Sequence, residues 1–209
     1  MSPSWMFRPL AWSLRRWNAS RPVARRWRTI DRWTAPHVFR DIAAVVDDLA
    51  AAIASRTSDG PTAVVTHSFG DWLTRSALER LHASAEEKGT PPPRLSHLLS
   101  IAPVTTAVPG AERLAALPRP VPIVLPPELH IMADHKRSEV PLDAACCDRW
   151  TIFWPRGELI VRRFVPQTEV PVEVVTVLGT HNSLPWQPGL HRAIAQRLSD
   201  AAPLTKSTP

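Results

Sequence analysis

Cysteine is nearly missing from this chain: there are two among 209 residues, adjacent at Cys146 and Cys147. Neighbouring thiols build no disulfide framework, so a reducing, cytoplasmic compartment is the expectation. Long apolar runs are missing too. No stretch approaches the ~20 residues that a membrane-spanning helix needs, and none near Met1 forms the apolar core of a signal peptide. No segment repeats. Glycine is scarce at seven residues, none of them before Gly60. Acidic residues all but vanish from one end: residues 1–40 carry nine arginines against Asp31 alone, or +8, within a total of +6. The other 169 residues therefore sum to −2.

What is there reads as one globular domain. A hydrophobic content of 44% and a charged content of 21% are ordinary values, and the length suffices to bury a substantial core. Five of the nine tryptophans (Trp5, Trp12, Trp17, Trp27 and Trp33) fall in the basic segment. Arginine interleaved with tryptophan suits a nucleic-acid or anionic-membrane surface. No groove-reading motif accompanies it, so the favoured reading is an amphipathic helix over residues 7–17 with solvated arginines and no nucleic-acid partner. Residues 1–40 are then a basic segment packing on a domain at 41–199, followed by a disordered tail at 200–209.

Periodicity sketches the domain. Val38, Ile42, Val45, Val46, Leu49 and Ile53 fall on one face of a helix over residues 38–56, with Pro36 in its first turn. Strands are expected at residues 63–66, 95–104 and 172–181. Strand-like runs also occur at "ELHIMA", "TIFW" and "ELIVRRFV". Helices are expected after Gly70 and over residues 188–199. Strands alternating with helices imply an α/β fold, a mostly parallel sheet with flanking helices.

One stretch carries chemistry. Residues 63–72 read "AVVTHSFGDW", a short buried strand that breaks on a serine and enters a helix. Such a turn pushes a nucleophile out of the backbone. A serine hydroxyl needs a base, and histidine serves near neutral pH. His181 follows the strongest late strand, with Gly179 allowing a tight loop before the final helix. The order is serine early, histidine late.

"VVTHSFG", "LLSIAPV" and "VLGTHNSLPWQPGL" together resemble the α/β-hydrolase superfamily, most of all its small bacterial lipase- and esterase-like branch. The resemblance runs over about residues 42–198. It implies a serine hydrolase cleaving a small carboxylic ester without a cofactor, with Ser68 as nucleophile and His181 as general base. The backbone N–H of Phe69 would be an oxyanion-hole donor. It implies an acid as well. Asp134, following "ELHIMA", is the first choice; Glu158 is the second, where the branch's Asp-Gly pair is replaced by Arg156-Gly157. His130, Asp134 and His135 lack the further ligands that a metal would need, so no metal is expected.

Three departures from the family pattern stand out. Thr66 replaces the leading glycine of the elbow, and Asp71 replaces its common third glycine, at a helix start where a carboxylate suits the dipole. The triad acid lacks its usual context. The early strand and its His-Gly loop, which supply a second oxyanion donor, have no counterpart: "MFRPLAWSLRRW", residues 6–17, resembles the helix after that loop, and "WRTIDRW" the strand that follows. The sequence thus reads as beginning inside the fold. A non-catalytic hydrolase-like protein that uses its basic segment for an interaction is the alternative. The Ala-, Pro- and Leu-rich residues 105–127 are candidates for an acyl-pocket cap.

Overall fold

Four short apolar runs pair side by side in chain order. In a computed structural model, which describes residues 7–33, 41–108, 111, 127–134, 139–164 and 167–201, they are β1 (Ala63–His67), β2 (His97–Ile101), β3 (Trp150–Pro155) and β4 (Val172–Val177). The sheet order is β1-β2-β3-β4 and every pairing is parallel. Thr66 stands opposite Ser100, and Ser100 opposite Ile152. All residues of β2 and β3 are buried, as inner strands of a parallel sheet must be when helices cover both faces.

Alternation along the strands builds two cores. Leu98, Trp150, Ile152 and Trp154 face α2 (Ile42–Ser58) and α3 (Phe69–Lys88). Leu99, Ile101 and Phe153 face α1 (Arg8–Ala19) and the closing helix, α5 (Pro188–Ala201). The molecule is a three-layer α/β protein. Because the strands run one way, the residues that follow β1, β3 and β4 all emerge at one edge of the sheet. That edge is where ligands sit in open α/β sheets.

The basic segment begins as expected, with Leu10, Ala11 and Leu14 of α1 buried. Two of its arginines lie over its own tryptophans, Arg16 at 5.5 Å from Trp12 and Arg21 at 4.7 Å from Trp17. α2 begins at Ile42, where the Asp41 carboxylate caps the N–H of Ala43 at 3.1 Å; Pro36 and Val38 lie outside the described residues. Asp200 and Ala201 complete α5, and residues 202–209 are not described.

Three expected strands are not strands. "ELHIMA" lies in α4 (Pro127–Ala133), with proline at the first position where its fixed φ and missing N–H suit a helix. So short a run cannot separate a period of 2 from one of 3.6. "ELIVRRFV" is irregular in its described part, 158–164. There the Glu158 carboxylate takes the N–H groups of Ile160 and Val161, which a ladder would have used. "WRTIDRW" belongs to no strand and bends at Arg28. Most of 105–127, the candidate cap, lies outside the described residues.

Candidate active site

β1 runs straight into Ser68, whose backbone is forced to φ 54°, ψ −126°, before α3 starts at Phe69. A non-glycine residue at positive φ costs on the order of 1–3 kcal/mol and persists only where the surroundings over-determine it. They do so here. The N–H of Ser68 donates to the carbonyl of Ile101 at 2.9 Å, and its carbonyl accepts from Asp71 at 3.1 Å and Val104 at 3.4 Å. The turn lifts the hydroxyl clear of the strand, half-buried, at the carboxyl edge of the sheet.

Two further loops reach it. After β4, Gly179 takes φ 137°; a Cβ there would stand 3.1 Å from Ser183 Oγ and 3.2 Å from Leu184 Cδ2. The tight loop delivers His181, 5% exposed, with Nε2 at 2.9 Å from Ser68 Oγ. After β3, Gly157 donates its N–H to Gly179 at 3.0 Å, and a Cβ on Gly157 would press on that same carbonyl at 3.1 Å. The close approach lets Glu158 place Oε2 at 2.9 Å from His181 Nδ1. Its other oxygen accepts from Ile160 at 2.7 Å and Val161 at 3.0 Å. The carboxylate only accepts, so Nδ1 carries the proton and Nε2 is left as acceptor for the serine hydroxyl.

Ser68 and His181 thus meet, and the carboxylate beside His181 is that of Glu158. Asp134, the first choice, is exposed at the end of α4. The sequence points to Asp134 only if "ELHIMA" is a strand, which would carry the residue to the sheet edge; as a helix it does not. Phe69 is the first residue of α3, where helix geometry leaves the N–H without an intrahelical acceptor. His130 is exposed and His135 is not described; among the described residues no three His, Cys, Asp or Glu side chains gather as a metal site.

Two supports under the elbow escaped sequence reading. Asp71 is no surface carboxylate at a helix start: Asp71 and Arg75 both have fully buried side chains and pair at 2.9 Å. Ser100 Oγ donates to Asp71 at 2.5 Å and accepts from Trp150 Nε1 at 2.8 Å and Thr66 Oγ1 at 3.4 Å. Arg75 also donates to the carbonyls of Val104, at 2.8 Å, and Val140. The i,i+4 spacing of Asp71 and Arg75 was the available signal.

The second support is His67. Its Nε2–H donates to the backbone carbonyl of His181 at 2.9 Å, joining the His181 loop to the strand that leads into Ser68. The two imidazoles lie 5.0 Å apart, and Phe7 meets His67 edge-on at 5.8 Å. Burial pushes His67 down to about 4, so it stays neutral beside His181 at neutral pH. Between pH 6.5 and about 4 the unfolded chain binds a proton that folded His67 does not, so stability falls as pH falls through that window. The expected loss from this residue is about 3 kcal/mol. Urea titrations at pH 7 and pH 4.5 check it: His67→Gln, which keeps an amide donor, should show a smaller acid-induced drop than the unaltered protein. An equal drop in both would mean that His67 titrates normally.

Cys146 and Cys147 are buried, and burial pushes both thiols up to about 11. They are protonated and unreactive at neutral pH. No helix among the described residues is long and apolar enough to cross a membrane.

No family model and no curated protein matches the sequence. Solved structures similar to the chain include human thioesterase 2, at 15% identity and a TM-score of 0.44 over 76% of this chain and 80% of that one. RedJ, a thioesterase of the prodiginine pathway in Streptomyces coelicolor, is similar at 19% identity and 0.44 over 77% and 68%. The phospholipase PlaB from Legionella pneumophila matches at 15% and 0.43 over 75% of this chain and 35% of its own.

Proposed function

We propose that the chain is a serine hydrolase of the α/β-hydrolase type, cleaving carboxylic esters through an acyl-enzyme on Ser68. The observation that carries this reading is the unbroken relay from Ser68 Oγ through His181 to Glu158, with 2.9 Å at each link. His181 Nε2 takes the hydroxyl proton as Oγ bonds to the ester carbonyl carbon. Glu158 holds the ring in the required tautomer and offsets the imidazolium charge. The N–H of Phe69 donates to the carbonyl oxygen as it becomes an oxyanion. His181 then returns the proton to the leaving alcohol. In the second half a water, deprotonated by His181, attacks the acyl carbon; the bond from that carbon to Oγ breaks, His181 returns the proton to Ser68 Oγ, and the acid leaves.

A fluorophosphonate probe tests the nucleophile directly. The unaltered protein should be labelled on Ser68, and Ser68→Ala should remove labelling and esterase activity while the circular dichroism spectrum is unchanged. Folded protein that resists both probe and ester would point instead to the non-catalytic reading.

A further inference from the structure

The loop from β3 toward β4 shows solvent two opposite kinds of side chain. Leu159 is 94% exposed, and Leu178, on the loop beside it, is 77% exposed. Ile160 and Phe164 are exposed to a lesser degree. Arg162 and Arg163 fall between Ile160 and Phe164 along the loop, and Arg156 precedes Leu159; all three arginines are exposed. Val161, by contrast, is buried in the main core and anchors the loop.

Backbone contacts tie this surface to the catalytic edge. Leu159 follows Glu158 directly, and Gly157 donates to the carbonyl of Gly179, the neighbour of Leu178. The carbonyl of Phe164 accepts from Thr105 Oγ1 at 2.8 Å. Thr105 in turn adjoins Val104, whose N–H reaches the Ser68 carbonyl. Single exposed leucines are ordinary on a protein surface, but a group of apolar tips around a reactive site is not.

At this exposure Leu159 and Leu178 make few contacts with the other described residues. A protein partner would need a matching rigid socket for each, whereas a fluid hydrocarbon layer needs none. Guanidinium groups pair with phosphate oxygens, and apolar side chains interleaved with arginine match the headgroup boundary of an anionic bilayer. We propose that residues 156–164 and Leu178 form a docking surface for an anionic lipid interface. Docking there brings the Ser68–His181 edge against the lipid. The corollary, that the ester is presented at a lipid surface, rests on the hydrolase reading; the docking itself does not.

Vesicle sedimentation tests it, using Ser68→Ala protein so that the lipid stays intact. Phosphatidylglycerol vesicles should retain the protein about tenfold or more better than phosphatidylcholine vesicles, and added salt should weaken retention. Leu159→Ser with Leu178→Ser should lower retention on phosphatidylglycerol about tenfold. Arg162→Gln with Arg163→Gln should abolish the preference between the two lipids. No retention on either vesicle overturns the proposal, as does retention that neither pair of substitutions changes. Binding to an acidic carrier protein without binding to vesicles also overturns it. Hydrolysis of a water-soluble ester by the unaltered protein is read separately. An active protein that ignores vesicles refutes the docking alone, and an inactive one that binds them refutes the hydrolase alone.

Discussion

Replacing Glu158 by glutamine should lower kcat on a soluble ester by about 10³- to 10⁴-fold, with the fold intact. The expectation follows from how its oxygens are held. Oε1 accepts two backbone N–H groups, from Ile160 and Val161. In the glutamine variant the carbonyl oxygen must keep that position, because an amide nitrogen there would face two donors. The NH₂ group then falls where Oε2 lay, 2.9 Å from His181 Nδ1, and donates into it. The imidazole is driven to the tautomer with its proton on Nε2, which cannot accept from Ser68. Asp134→Asn, on the exposed end of α4, should leave kcat within about twofold, as surface changes away from a site do. Steady-state kinetics on both variants decides the matter. A large loss in Asp134→Asn with normal Glu158→Gln would show that the acid is misassigned.

The largest stability effect should come from Arg75. Its guanidinium is fully buried, pairs with a fully buried Asp71 and holds the carbonyls of Val104 and Val140. Arg75→Met would leave a carboxylate in the interior with its main counter-charge gone and two carbonyls without that donor. Breaking a buried pair this way costs about 3–5 kcal/mol, a large share of the ~5–15 kcal/mol that stabilises a typical domain. Urea denaturation should show the midpoint fall accordingly. Asp71→Asn alone should also destabilise, because its single amide oxygen can accept from Ser100 or from Arg75 but not from both, and the buried guanidinium loses its counter-charge. Combining the two should recover part of the loss, because no unpaired charge remains; a coupling of about 1–3 kcal/mol in the double-mutant cycle is expected. Purely additive effects would mean that the pair is not the source of the loss. Arg75 also holds the Val104 segment that bonds to the Ser68 carbonyl, so a variant that survives should lose activity as well as stability.

Local pattern was enough for much of this molecule. β1, β2, β3 and β4 each coincide with an apolar run, and α2, α3 and α5 with helical spacing and cap residues. Such features depend on side-chain period and on short-range turn chemistry, which a sequence displays directly. Ser68 and His181 were legible for the same reason: a strand that breaks on serine and a Gly-bounded histidine after the last strand are local signatures whose order along the chain is meaningful. Their meeting follows from parallel strands ending at one edge.

The rest depended on distance. Asp134 and Glu158 were equivalent as carboxylates in irregular surroundings, and the choice between them rested on whether "ELHIMA" is strand or helix. That run is too short to declare its period, and Pro127 starts a helix there. Glu158 reaches His181 because Gly157 and Gly179, 22 positions apart in sequence, let two loops touch without a Cβ between them. Asp71 looked like a carboxylate placed for a helix dipole, and became the centre of a buried network only because Ser100 and Arg75 both donate to it, with Trp150 donating in turn to Ser100. His67 was one letter in an elbow motif until its ring met a carbonyl 114 residues away. Period and turn chemistry are properties of neighbours in the chain and can be read from it. Which polar groups face one another in the interior depends on the packing of whole elements, and that is decided only when the layers close.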